Sequence, residues 1–221
     1  MSHLTLRIDM NLQTPLHITG DRRLLGVDKA SAMSAFGSHK HTVYTIPASS
    51  LKGRLRSRAE AILKSWDFKI CSAPDPGGMC RDQSDLCLVC RVFGNPRFRS
   101  PIKFGEAKPP GDTMQEIRSG VAIGRVRGTA LDQHLFFVET TFSDPSKIWI
   151  AHGDGHFPSP ESAREAAALI ILASRFNSAI GSGKSRGMGW ISSQVKAKID
   201  DQEVSDADLK EIWQRWAGGK E

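Results

Sequence analysis

Pro160-Glu-Ser-Ala-Arg-Glu-Ala-Ala-Ala-Leu-Ile-Ile-Leu-Ala-Ser-Arg-Phe-Asn177, and shortly after it Gly181-Ser-Gly-Lys-Ser-Arg-Gly-Met-Gly189, set a helical pattern before a glycine-rich loop. Ser159 can cap the helix, Pro160 suits its first turn, Glu161 favours the dipole, and Leu169, Ala173, Phe176 and Ile180 recur at helical spacing. After the glycines, Ile191, Ser193, Val195, Ala197 and Ile199 alternate with polar residues, which predicts a strand. The order helix, loop, strand decides between two readings of the glycines. Gly183-Lys184-Ser185 resembles the end of a nucleotide-binding P-loop, but the required earlier glycine is Ser178, and a P-loop runs from strand to helix. What remains is a loop of bare N–H groups and two cations suited to phosphate, set against a plain glycine-rich turn.

Upstream, Leu4, Leu6, Ile8 and Met10 alternate with Thr5, Arg7 and Asp9 as a first half-buried strand. A turn-rich stretch over 19–41 precedes Pro47-Ala-Ser-Ser-Leu-Lys-Gly-Arg-Leu-Arg-Ser-Arg58. There Ser49 or Ser50 can cap a helix whose apolar face is Leu55, Ala59, Ile62, Leu63 and Trp66. Lys52 and Arg56 fall four residues apart near its start, which makes either a cationic rail beside a helix N-terminus or a solvated face. Arg118, Arg125 and Arg127 lie among small and β-branched residues in what reads as a projecting hairpin over 112–135. A short strand at 148–150 precedes the helix quoted above, and a capped helix from Ser205 to Trp216 ends the chain. Two helices on one antiparallel sheet is a ferredoxin-like α+β plan, a scaffold that RNA-recognition domains also use. We expect one domain over 1–221.

The formal charge is +6 and the isoelectric point near 9.3, which favours a polyanionic partner. No run is apolar enough for a membrane span and no signal core opens the chain, so a cytoplasmic setting is expected. All four cysteines fall within one stretch, at Cys71, Cys80, Cys87 and Cys90. In that setting they read as a closed structural Zn2+ site within an insertion over 68–95, where turn-rich sequence offers little else to pack.

Five segments together resemble the repeat-associated (RAMP) superfamily of CRISPR proteins, specifically the repeated backbone subunit of type III effector complexes. They are Leu16-His-Ile-Thr-Gly20, Ile46-Pro-Ala-Ser-Ser-Leu-Lys-Gly53, Arg91-Val-Phe-Gly94, Val121-Ala-Ile-Gly-Arg-Val-Arg-Gly-Thr-Ala130 and Gly181 to Gly189. The resemblance implies a palm carrying a hairpin thumb, polymerisation along a crRNA guide with further copies and other effector subunits, and cleavage of target RNA at regular intervals. On that basis Ser49, Ser50, Lys52, Arg54 and Arg56 would hold guide phosphates. Arg118, Arg125 and Arg127 would brace the thumb, and Gly181, Gly183, Lys184, Ser185 and Arg186 would track the guide. Cleavage in many such subunits depends on an aspartate in the loop after the first strand, a position matched here by Asp28, with Asp21 a poorer second. Mg2+ or a similar divalent cation would assist attack by a ribose 2′-hydroxyl, with RNA phosphates completing its shell.

Two departures from the family pattern stand out: Gly124 replaces an aspartate often found before the thumb arginine, and the segment after Asp28 is unlike the usual spacer. His39 and His41 are read as loop histidines, and His17 as packed beneath the loop. His152-Gly-Asp-Gly-His156 could suggest a metal site, but no further ligands are apparent for it. A scaffold that holds guide RNA without cutting is the alternative function, and a P-loop nucleotide enzyme a remote one.

Overall fold

The computed structural model describes residues 1–36, 41–71, 73–109 and 111–218. His39 lies outside the described residues, as does the side chain of His41. In chain order the elements begin with β1 (Ser2–Leu12), β2 (Met33–Phe36), β3 (His41–Tyr44), α1 (Ala48–Ser65), α2 (Leu88–Phe93) and β4 (Ile102–Phe104). They continue with β5 (Met114–Ile123), β6 (Ala130–Phe142), β7 (Trp149–Phe157), α3 (Pro160–Arg175), β8 (Ile191–Ile199), β9 (Gln202–Glu203) and α4 (Asp206–Gly218).

The alternation of β1 puts Leu4, Leu6, Ile8, Met10 and Leu12 on a face that is fully covered. β1 pairs antiparallel with β7 on one side and β8 on the other, and the sheet runs β4-β7-β1-β8-β9. α1 and α3 cover the buried face and touch each other. α1 contributes Leu51, Leu55, Ala59 and Leu63; a serine cap was expected, but Pro47 holds the cap position without a side-chain bond. α3 is buried all round from Ala166 to Ser174 because the sheet and α1 lie against it and α4 adds Leu209, Ile212 and Trp216. Its alanines allow that close approach, and Trp213 Nε1 of α4 donates to the Ala168 carbonyl at 3.1 Å. Ser159 caps α3 as expected, accepting from the Ser162 N–H.

The strand expected at 148–150 extends through Phe157, with glycines in its interior. Gly153 and Gly155 occupy the buried face, where a Cβ would press on Leu6 and, at 2.8 Å, on the Pro101 carbonyl. β5 and β6 form a separate hairpin that stands away from the sheet, with Val121, Ile123, Val126 and Leu131 exposed near its tip. The sequence reading missed β2, β3 and β4 and the short α2 inside the cysteine-bearing insertion. Among the described residues no helix is long and apolar enough to cross a membrane.

Candidate functional site

The glycine loop lies between α3 and β8, so no helix follows it as a P-loop requires. Lys184–Arg186 make one 3₁₀ turn between Gly183 and Gly187, which both adopt left-handed φ, at 70° and 78°. Gly181 rests on the His17 carbonyl and Gly189 on the Ile180 carbonyl, with no room for a side chain at either. Ser182 N donates to His17 O at 2.9 Å and Gly189 N to Pro15 O at 2.8 Å. These two glycines therefore let the loop pack closely on segment 15–18. The turn between them projects Lys184, Ser185 and Arg186 outward.

Arg54 and Arg58, one turn apart on α1, face this loop. The Arg54 Nε donates to Asn177 Oδ1 at 2.9 Å and to the Ala179 carbonyl at 2.8 Å. Burial, and after it the charges of Arg54 and Arg58, hold Lys184 below the ordinary lysine pKa. Arg54 is lowered in the same way by burial and then by Arg58. Among the described residues none of the three has a carboxylate within ion-pair distance. Cations held together without a counter-ion repel, and an anion placed among them would relieve that cost. Ser50, Gly53, Arg54, Gly181, Ser182 and Lys184 line a concavity of about 360 Å³ at this point. It opens beside the first turn of α1, which has no side-chain cap and no acidic residue.

The expected rail of Lys52 and Arg56 divides. Arg56 turns toward α2, donating to Glu60 at 2.8 Å and to the Gly94 carbonyl at 2.6 Å. Lys52 and Ser49 line a second concavity together with Arg99 and Lys103. Burial and then Arg56 lower the Lys52 pKa.

A third concavity, of about 470 Å³, joins the loop to the base of the hairpin and is lined by Lys29, Arg118, Ser182, Ser185 and Arg186. Its floor is the Phe136 ring, which crosses the empty position at Gly120 and lies 5.7 Å below the Arg186 guanidinium. Arg118 also bonds Glu116 at 3.0 Å. Arg125 and Arg127 sit exposed in the turn at the tip, apart from this cluster. Sequence reasoning missed Arg58, Lys29 and Phe136. The i, i+4 spacing of Arg54 and Arg58 was the one available signal, and the apolar positions of α1 allow either basic face to be chosen.

Asp28 is exposed, but its Oδ2 accepts from the Phe137 N–H at 2.7 Å, and its own N–H donates to Phe137 O at 3.0 Å. Its segment runs along β6, where Glu139 is almost fully buried. The Glu139 carboxylate binds the Arg22 guanidinium through both oxygens and receives the Tyr44 hydroxyl at 2.7 Å and the Ser31 N–H at 2.8 Å. Burial alone would raise its pKa, but Arg22, Tyr44 and Ser31 outweigh it and hold the carboxyl low. Burial, followed by the Glu139 hydrogen bond, pushes the Tyr44 hydroxyl up to about 12. His17 is buried as expected, its Nδ1 2.6 Å from the Glu139 carbonyl and its Nε2 2.9 Å from Thr19 Oγ1. Among the described residues, Asp28 belongs to no cluster of three metal-ligating groups.

Cys71, Cys80, Cys87 and Cys90 converge, with all four sulfurs within 4.8 Å of one another and none in a disulfide. Cys71 Sγ is 3.3 Å from Cys90 Sγ and 3.7 Å from Cys87 Sγ. Four thiolates about 2.3 Å from a tetrahedral zinc stand roughly 3.8 Å apart, so the set can hold such an ion. Burial, then the neighbouring sulfurs, push the Cys90 thiol above its ordinary range, so four thiolates this close need a cation. Arg56 lies 3.9 Å from Cys90 Sγ, linking this cluster to α1.

A family model described as the RAMP superfamily matches residues 9–192, and the chain belongs to that superfamily. Membership places it with CRISPR-associated RNA-binding proteins. No curated protein gives a significant match.

Proposed function

We propose that the chain is a crRNA-binding backbone subunit of a type III CRISPR effector complex that cleaves target RNA at regular intervals. The observation that carries the RNA-binding part is the placement of Lys184 and Arg54, without counter-ions among the described residues and with the charge of Arg58 close enough to act on Lys184, at the concavity between the glycine loop and the first turn of α1. A guide phosphate seated there would neutralise the cluster and take the free N–H groups of the helix. Such contacts read backbone and shape, which suffices when base pairing supplies specificity. The order β4-β7-β1-β8, with a helix after β1 and another after β7, supports a ferredoxin-like palm. The β5–β6 hairpin would be the thumb, with Arg125 and Arg127 against RNA at its tip and Arg118 at its base.

Cleavage would proceed by attack of a ribose 2′-hydroxyl on the adjacent phosphate, with Asp28 beside the reacting group. The 2′-oxygen loses its proton as its bond to phosphorus forms, the P–O5′ bond breaks, and the 5′-oxygen of the next nucleotide leaves as a protonated hydroxyl, giving a 2′,3′-cyclic phosphate. No step is assigned to a divalent ion, since among the described residues Asp28 lies in no cluster of three His, Cys, Asp or Glu ligands. Asp28 favours a second reading as well, since one of its oxygens is committed to Phe137: a subunit that binds guide RNA without cutting. The cysteine cluster would hold a structural zinc. Binding of single-stranded RNA by the purified chain, measured against salt, tests the central claim. The reading requires an affinity that falls steeply with salt and depends on Lys184; nucleotide binding in its place would return the P-loop hypothesis.

A further inference from the structure

The sheet face opposite the helices carries a second convergence of ligand-bearing side chains. His3 of β1 stands directly opposite His156 of β7, and Asp154 lies two residues along β7 on the same face. The packing that favours glycine at 153 and demands it at 155 leaves the intervening positions to point away from the core, which explains the pattern His152-Gly-Asp-Gly-His156. His3 Nε2 lies 2.6 Å from Asp154 Oδ2, and the two imidazoles stack with centroids 4.7 Å apart. One ligand atom from each of the three residues falls within 4.8 Å of the others. Asp200 adds negative charge nearby, its Oδ1 held by the His3 N–H at 2.8 Å.

We infer that His3, Asp154 and His156 form a site for a borderline divalent transition metal ion such as Zn2+, Co2+ or Ni2+. Two imidazoles and a carboxylate are the donor set such ions take, while Mg2+ and Ca2+ prefer oxygen alone. The ligands come from paired strands rather than a loop, so little chain has to be ordered when the ion binds. The His3 Nε2 that now shares a hydrogen with Asp154 would turn its lone pair to the ion, and water would fill the remaining positions. The site is open, unlike the closed cysteine cluster, and on the opposite side of the sheet from the helices that carry the RNA-binding cations.

Cobalt(II) titration of the full chain tests this, because the two sites differ in colour. Cobalt on cysteines gives thiolate charge-transfer bands, whereas a His-His-Asp site gives ligand-field bands without them. We expect one equivalent of the second kind. Its affinity should fall in His156→Ala and Asp154→Asn by more than the roughly 10- to 100-fold that loss of an outer-shell partner costs. The same titration should be unchanged in His152→Ala, which alters the same strand and face. Because the changed side chains are at the surface, circular dichroism should match the parent protein. Absence of the sulfur-free bands, uptake unchanged in His156→Ala, or equal loss in His152→Ala overturns the assignment.

Discussion

The Asp28 carboxylate is tied to the stem of the hairpin, Oδ2 accepting the Phe137 N–H at 2.7 Å. A side chain placed only for chemistry has no need of this bond, and one placed only as a pin has no need of its charge. Asp28→Asn separates the two, since an amide oxygen still accepts from Phe137 while the negative charge is gone. If Asp28 carries cleavage, Asp28→Asn and Asp28→Ala should both slow cutting by the assembled guide complex by about 10²-fold or more. Only Asp28→Ala should lower the melting temperature. Near-normal cutting by Asp28→Asn would leave Asp28 as a pin and favour the non-cleaving scaffold.

The family resemblance implies guide contacts for both Lys184 and Arg56, yet their surroundings separate them. Lys184 lies among cations, while Arg56 is satisfied by Glu60 and Gly94. Lys184→Ala should weaken single-stranded RNA binding for every sequence and reduce the slope of log K against log salt by about 0.7, one phosphate contact. Arg56→Ala should leave that slope unchanged and lower thermal stability, because it unlinks α1 from α2. Filter binding over a salt series with melting curves distinguishes them. A salt slope changed by Arg56 and not by Lys184 would reverse the assignment.

The sequence carried the elements whose signals are local. α3, with Ser159 before it and alternating β8 after it, was legible because cap, periodicity and loop glycines agree. β7 was read too short, since Gly153 and Gly155 look like turn residues until Leu6 and Pro101 are seen to crowd them. Glu139 gave no signal. An acidic residue in an apolar strand is ambiguous until Arg22 and Tyr44, more than 90 residues away in sequence, close around it. The choice of the Arg54 and Arg58 face over that of Lys52 and Arg56 depends on where the loop after α3 returns, which no local pattern encodes.

The cysteine cluster predicts a metal-dependent fold in the segment that includes α2. One zinc per chain should co-purify on the four thiolates, and Cys80→Ser should release most of it. The loss should expose the 68–95 segment to proteolysis while the sheet and α3 stay protected, because most of the buried core around them comes from β1, β7, β8, α1 and α3, with only Leu88, Val89, Val92 and Phe93 of it contributed by that segment. Limited proteolysis with metal analysis checks both parts. Zinc retained at the parent level in Cys80→Ser would remove that residue from the ligand set.

Glu139 anchors the Asp28 segment to the hairpin stem through an ion pair that is buried on the carboxylate side and about a third exposed on the arginine side. Glu139→Leu should destabilise the fold by about 2–3 kcal/mol, less than the 3–5 kcal/mol of a fully buried pair because solvent can partly serve Arg22. Urea denaturation of the variant and the parent gives the difference, and a loss under about 0.5 kcal/mol, the range of ordinary surface changes, would deny the anchor its role.

His17 and Glu139, in hydrogen-bond contact through the Glu139 carbonyl, should divide the acid response of this fold into two windows. Burial is the largest influence on His17 and holds its pKa below the ordinary histidine value; the Glu139 carbonyl opposes it and the Lys29 charge adds to it. Below about pH 6.5 the unfolded chain therefore binds the proton that folded His17 refuses, so stability falls as pH drops toward the folded pKa. Above that pH His17 contributes no slope. Glu139 behaves differently, because its folded pKa is depressed: its contribution is complete above the unfolded glutamate value of about 4.3 and is lost as pH falls through the folded pKa. Melting temperatures across this range should fall first below about pH 6.5 and again below about 4.3. His17→Gln should flatten the upper step and Glu139→Gln the lower one. An upper step unchanged in His17→Gln would mean that another group causes it and that His17 is not held neutral by its burial beneath the glycine loop.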